Sequence, residues 1–147
     1  MRRALLGLTL LTPLFAKFKF SDPKPSFDKP RKWLIKLNTN DIHVVNHTIG
    51  AINNVMKIYP DGALQVVVVA YSSGMRALMK NYDKKTLSRI KSLQDYDVEF
   101  VGCLNTMETM NWTKKDFIDG LKYVQAGIAE VIVRKAGGWI EVTPYDI

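Results

Sequence analysis

The sequence predicts an α/β domain three layers thick, with a mostly parallel five-stranded sheet and helices on both of its faces. Three observations predict it. Short apolar runs alternate with stretches of helical spacing over residues 32–142, the pattern of successive strand–helix–strand units. The run Val66-Val67-Val68-Val69-Ala70 has no polar alternation, as a strand buried on both faces of a parallel sheet requires. The 147 residues are 47% apolar and 24% charged, an ordinary globular balance, and a chain of this size closes a core without disulfides or metals.

The first strand is Lys32-Trp33-Leu34-Ile35-Lys36-Leu37, ended by Asn38-Thr39-Asn40. Asn40 is placed to cap a helix, in which Ile42, Val45, Ile49, Ile52, Met56 and Tyr59 recur on one face. Pro60-Asp61-Gly62 stops that helix, and the valine-rich strand spans residues 64–71. Ser72-Ser73-Gly74 then opens a short helix over 75–81, and a longer one over 84–94 turns Leu87, Ile90 and Leu93 inward. The third strand is Val98-Glu99-Phe100-Val101-Gly102-Cys103. Asn105 is placed to cap a helical turn over 106–110, and Thr113-Lys114-Lys115-Asp116 matches a capping box with Asp in place of Glu. A short fourth strand follows at 121–124. A helix over 127–136 points Ile128, Val131 and Ile132 inward, Gly137-Gly138 ends it, and the last strand is 139–142.

Ahead of the domain, Met1-Arg2-Arg3 is a basic start, residues 4–15 are mostly apolar, and Ala16 is a small residue suited to cleavage. That is the layout of a signal peptide over residues 1–16, too short in its apolar part to span a bilayer. Leu14 departs from it, since a small residue is usual there, and an uncleaved anchor or a buried helix are the competing readings. Export places the protein in the periplasm or outside the cell, with no membrane contact after cleavage. Residues 17–31, with Pro23, Pro25 and Pro30, read as an extended lead-in, and 32–147 as the domain. The formal charge of +7 comes from scattered lysines, without the aromatic–basic interleaving of a nucleic-acid surface.

In a parallel α/β sheet ligands bind beyond the carboxyl ends of the strands. Two segments end there with useful chemistry: Ser72-Ser73-Gly74, whose amides and hydroxyls suit a phosphate or sulfur oxyanion, and Cys103-Leu104-Asn105. Cys103 is the only cysteine, so no internal disulfide forms, and the thiol is either packing or reactive. The amides of Asn105, Thr106 and Met107 are placed to support a thiolate, and Gly102 leaves room for a close approach. No histidine stands near it as a base. His43 and His47, at i and i+4, are two ligands without a third, so no metal site is assigned. Trp112 is a pocket wall or an oligomer contact, and Trp33 and Trp139 pack on the sheet.

The segment Val98-Glu99-Phe100-Val101-Gly102-Cys103-Leu104-Asn105-Thr106-Met107 resembles the strand–Cys–Asn-Thr-Met segment of DsrE-like proteins, above all their exported members. The stretch from Val124 to Pro144, with Ala126-Gly127 entering a helix and Gly138-Trp139 opening a strand, is similar to that family's ending. Ile49-Gly50-Ala51-Ile52-Asn53-Asn54-Val55 resembles its first helix. The resemblance covers residues 32–144. It implies a flavodoxin-like (YchN/DsrE-like) fold, an oligomer, and a persulfide carried on Cys103, with Ser72, Ser73, Gly74, Asn105, Thr106 and Met107 around it. The family's loop after the second strand often holds a histidine; here it is Tyr71-Ser72-Ser73-Gly74.

Two functions follow as expectations. One is sulfur relay through Cys103, needing no tightly bound cofactor but a donor and an acceptor, either proteins or a small sulfur compound. The other is a non-catalytic oligomeric module that binds a small anion or a protein segment, its cysteine structural. A flavin domain is the weakest reading, because no phosphate loop is present.

Overall fold

The structure is a computed structural model and describes residues 17–145; the expected signal peptide lies outside the described residues. Five strands form one sheet: β1 (Arg31–Leu37), β2 (Leu64–Ala70), β3 (Glu99–Cys103), β4 (Lys122–Val124) and β5 (Ile140–Glu141). Their spatial order is β4-β3-β2-β1-β5, and every pairing is parallel, so the mostly parallel sheet expected is wholly parallel. The helices are α1 (Ile42–Ile58), α2 (Lys84–Asp95), α3 (Leu104–Met110) and α4 (Gly127–Ala136).

Side chains of a strand alternate between faces, and the core divides accordingly. Trp33, Ile35, Leu37, Val66, Val68, Ala70 and Phe100 pack with Val45, Ile49 and Ile52 of α1 and with Ile90 and Leu93 of α2. Leu34, Val67, Val69 and Val101 pack with Val131 of α4. The valine-rich β2 therefore serves both cores, each buried valine contributing about 1.5–3 kcal/mol. The three-layer reading holds, with its cause in the connections. From β1 to β4 the chain steps in one direction across the sheet, whereas the step from β4 to β5 runs back across it. Right-handed crossovers then put α1 and α2 on one face and α4 on the other.

Local chemistry corrects several expectations. Asp41, not Asn40, caps α1, its Oδ1 accepting the amides of His43 and Val44 at 3.0 Å; a carboxylate is the stronger acceptor for those orphan amides. Ile42 is exposed, and Val45, Thr48, Ile49 and Ile52 form the buried face. The segment after β2 is a 3-10 helix that begins at Ser72 and ends at Leu78. The capping box at Thr113 is present, but it opens only a 3-10 turn, Lys114–Asp116. On α4 only Gly127 and Val131 are buried; Ile128, Ile132 and Val133 are about half or more exposed.

The β3–β4 edge is clamped by charge. Glu99 receives Lys122 at 2.7 Å and Arg134 at 2.9 Å, and Arg134 also meets Glu130 at 2.6 Å. Burial raises the Glu99 pKa, but these two cations more than offset it, and the net direction is down. A carboxyl depressed in the fold stabilises above its unfolded pKa and loses that contribution as the pH falls through its folded value. The clamp is therefore intact at neutral pH and fails in acid.

Candidate functional site

The chain leaving β3 passes into α3, whose Met107 packs with the α1–α2 face, while the chain leaving β4 passes into α4 on the opposite face. The adjacent strands β3 and β4 thus send their continuations to opposite sides, and the crevice between their carboxyl ends is where α/β sheets bind ligands. Cys103 is the last residue of β3 and sits in that crevice. Next in the alternation after Val101, it turns its sulfur towards the start of α4. There the Gly127 amide donates to Sγ at 3.3 Å, and the thiol faces the Gln125 carbonyl at 3.9 Å. The Met75 Sδ accepts the Cys103 amide at 3.3 Å.

Only 4% of Cys103 is exposed, so its chemistry depends on polar neighbours. Burial pushes the thiol pKa up, but the Thr106 hydroxyl and amide, then the amides of Gly127 and Asn105, outweigh it, and the net direction is down. Hydrogen bonds to an anion favour the anion, so the pocket holds a thiolate more readily than water does. Thr106 is the principal contributor. Thr106→Val keeps the shape and removes the hydroxyl. The pH inflection for alkylation of the native thiol by iodoacetamide is then expected to move upward, and an unchanged inflection would remove Thr106 from this role.

Beside the cysteine lies a cleft of about 370 Å³ lined by Ser72, Ser73, Arg76, Asn105, Thr106, Thr109, Met110 and Trp112. Four of the expected site residues meet there. Thr106 joins them to the sulfur: its hydroxyl accepts the Ser72 amide at 3.0 Å and also supports Cys103. The Asn105 backbone amide donates to the Gln125 carbonyl at 2.9 Å, and its side-chain oxygen accepts from the Gln125 side-chain Nε2. Asn105 therefore ties the β4 loop to α3, where the sequence had placed it as a cap.

Two expected pocket residues do not reach the cleft. Met107 is buried in the core. Gly74 is buried against β1, where a Cβ would stand 1.9 Å from the Leu37 carbonyl oxygen, and its amide is spent on Tyr71 at 2.9 Å. Gly102 opens no approach for substrate, because Met75 and Tyr123 fill the space over it. Sequence reasoning missed Arg76, Thr109, Met110, Gln125 and Gly127. The carboxyl-end rule that singled out the loops after β2 and β3 applies equally to the loop after β4. His43 and His47 are exposed on α1, and among the described residues no group of three or more His, Cys, Asp and Glu gathers. A larger cleft of about 730 Å³ lies between α2 and residues 118–120, and none of the expected site residues lines it.

A family model for the DsrE/DsrF/DrsH-like family matches residues 37–135. No curated protein matches the chain. Among solved structures, the protein of unknown function MTH1491 from Methanobacterium thermoautotrophicum is similar, with a TM-score of 0.72 and 23% identity over 78% of this chain and 99% of that one. At that identity the likeness speaks for the fold, a parallel α/β sheet of the flavodoxin type. The family match spans two thirds of the sequence and takes in β2, β3, β4 and the crevice with Cys103, and by it the chain belongs to the DsrE/DsrF/DrsH-like family.

Proposed function

We propose that the protein is a sulfur carrier in which Cys103 accepts a sulfane sulfur as a persulfide and passes it to an acceptor. The observation that carries this reading is the setting of the sulfur. It is recessed, yet it receives the Gly127 amide at 3.3 Å and its pKa is pulled down by the amides and hydroxyl around it. A persulfide anion would be held by the same donors. The family is consistent with sulfur relay between partner proteins. Incubation with inorganic polysulfide, free of reductant, should add sulfur to the intact protein, and dithiothreitol should remove it. An unchanged mass under those conditions would count decisively against the reading.

The carrier is further proposed to act as an exported homo-oligomer, exchanging sulfur with donor and acceptor proteins or a small sulfur compound. The apolar side chains Ile128, Ile132 and Val133 of α4 are exposed in the single chain, and a second copy would cover them. Protein recovered from the cell envelope or medium should begin after the first 16 residues and sediment as a multiple of the monomer. A monomer with an intact N-terminus would refute both points.

The low exposure of Cys103 favours one alternative, a non-catalytic module whose cysteine is packing and whose cleft holds a small anion or a protein segment. A native thiol that resists alkylation over hours, and reacts only when the protein is unfolded, would select it.

A further inference from the structure

The cleft beside Cys103 carries a feature that persulfide chemistry alone does not use. Its one cation is Arg76, and no carboxylate lines it. Arg76 takes part in none of the ion pairs found among the described residues. The guanidinium instead lies over the Trp112 ring at 5.1 Å, a contact that orients it while leaving its N–H fork open. Trp112 is itself set by an edge contact with the buried Phe117 at 5.9 Å. The remaining polar lining, Ser72, Ser73, Asn105, Thr106 and Thr109, is uncharged and rich in donors.

The cleft and the sulfur are one neighbourhood. Met75, next to Arg76 in sequence, meets the Cys103 amide, and Thr106 serves both the cleft and the thiol. An open cation beside a nucleophilic sulfur, among hydroxyls, matches a small divalent anion whose other end is a transferable sulfur. Resting on the sulfur-carrier reading, we infer that this cleft binds the oxyanion end of a thiosulfate-class donor, with Arg76 as its anchoring cation and Cys103 as the sulfur acceptor.

The step balances without an added oxidant. The Cys103 thiolate attacks the outer sulfur of thiosulfate, a bond forms between Sγ and that sulfur, and the bond from it to the sulfonate sulfur breaks. Sulfite leaves with the electron pair, and Cys103 is left as a persulfide anion. Ser72, a non-glycine residue at φ 49°, is held by its surroundings, among them the Thr106 hydroxyl that accepts its amide at 3.0 Å.

The test compares two donors on the full-length protein. With thiosulfate, the wild type should gain one sulfur on Cys103 and release equimolar sulfite. Arg76→Ala should load about ten- to a hundredfold more slowly, the worth of a charge-assisted hydrogen bond; Arg76→Lys should recover part of the rate. Polysulfide, which has no oxyanion end, should load all three proteins alike. Excess sulfate should slow loading of the wild type from thiosulfate and not from polysulfide, a readout that needs no variant. Equal rates for wild type and Arg76→Ala with thiosulfate, or loading by polysulfide alone, would overturn the inference and leave the carrier reading standing. Failure with both donors would overturn both.

Discussion

Cys103→Ser is expected to abolish sulfur loading completely while leaving the fold in place. A serine oxygen is smaller than the sulfur and lies closer to its Cβ, but the hydroxyl still turns towards the Gly127 amide and the Gln125 carbonyl, the partners the thiol now has at 3.3 and 3.9 Å. The exchange satisfies a buried polar group instead of stranding it, so the change in stability should stay within about 1 kcal/mol. The chemistry, by contrast, has no substitute, because Cys103 is the only cysteine in the chain and only a thiolate attacks sulfane sulfur at neutral pH. Intact-mass measurement after polysulfide treatment reads the result. A variant that still gains sulfur would mean that the adduct sits elsewhere. In the wild type the loading rate should rise with pH and level off below the pH at which a free cysteine does so, because the thiol pKa in the fold lies below its ordinary value.

Gly74→Ala should have the largest effect on stability and should disable the site as well. The added methyl carbon would stand 1.9 Å from the Leu37 carbonyl oxygen and 2.5 Å from its carbon. Both are backbone atoms at the end of a strand buried in the sheet, so no side chain can swing aside. Either β1 or the 3-10 segment must move, at a cost of about 3 kcal/mol or more. If the segment moves, it carries Met75 away from the Cys103 amide and Arg76 away from the cleft. Denaturant midpoint and loading rate should therefore fall together. Gly50→Ala, whose nearest neighbour is the tip of Arg89 at 3.8 Å, is the control: in the middle of α1 it should leave the loading rate unchanged and raise the midpoint by the ~0.5–1 kcal/mol that alanine gains over glycine in a helix. A midpoint for Gly74→Ala equal to the wild type would show that the close approach of β1 and the 3-10 segment is not required.

The strands were legible because burial on both faces leaves a run with no polar alternation, and Val66-Val67-Val68-Val69 is such a run. Cys103 was legible for a geometric reason: a strand end in a parallel sheet lies at the binding edge whatever its residues. Periodicity did less well on α4. Ile128, Val131 and Ile132 share a helical side, yet among them only Val131 packs into the core under the sheet, and spacing cannot tell an apolar stripe meant for the core from one left for a partner. Arg76 was hidden because its value comes from Trp112, 36 positions away, and only the folded chain brings the ring under the guanidinium. Gly74 and Ser72 looked alike in sequence; the close approach to Leu37 takes one into the interior and leaves the other on the cleft.

The strand order has a consequence for how the chain comes off the ribosome. β5, the last strand made, lies against β1, the first, and Trp33 Nε1 donates to the Val142 carbonyl at 2.7 Å while Tyr145 reaches the Lys36 carbonyl at 3.0 Å. Until those closing residues emerge, the outer flank of β1 has no neighbour, and an unpaired flank of that kind invites pairing between chains. A chain in which β1 has paired with β2 but β5 has not yet been made therefore keeps one flank of β1 open, and a binding factor that shields that flank would matter until residues 140–145 are in place.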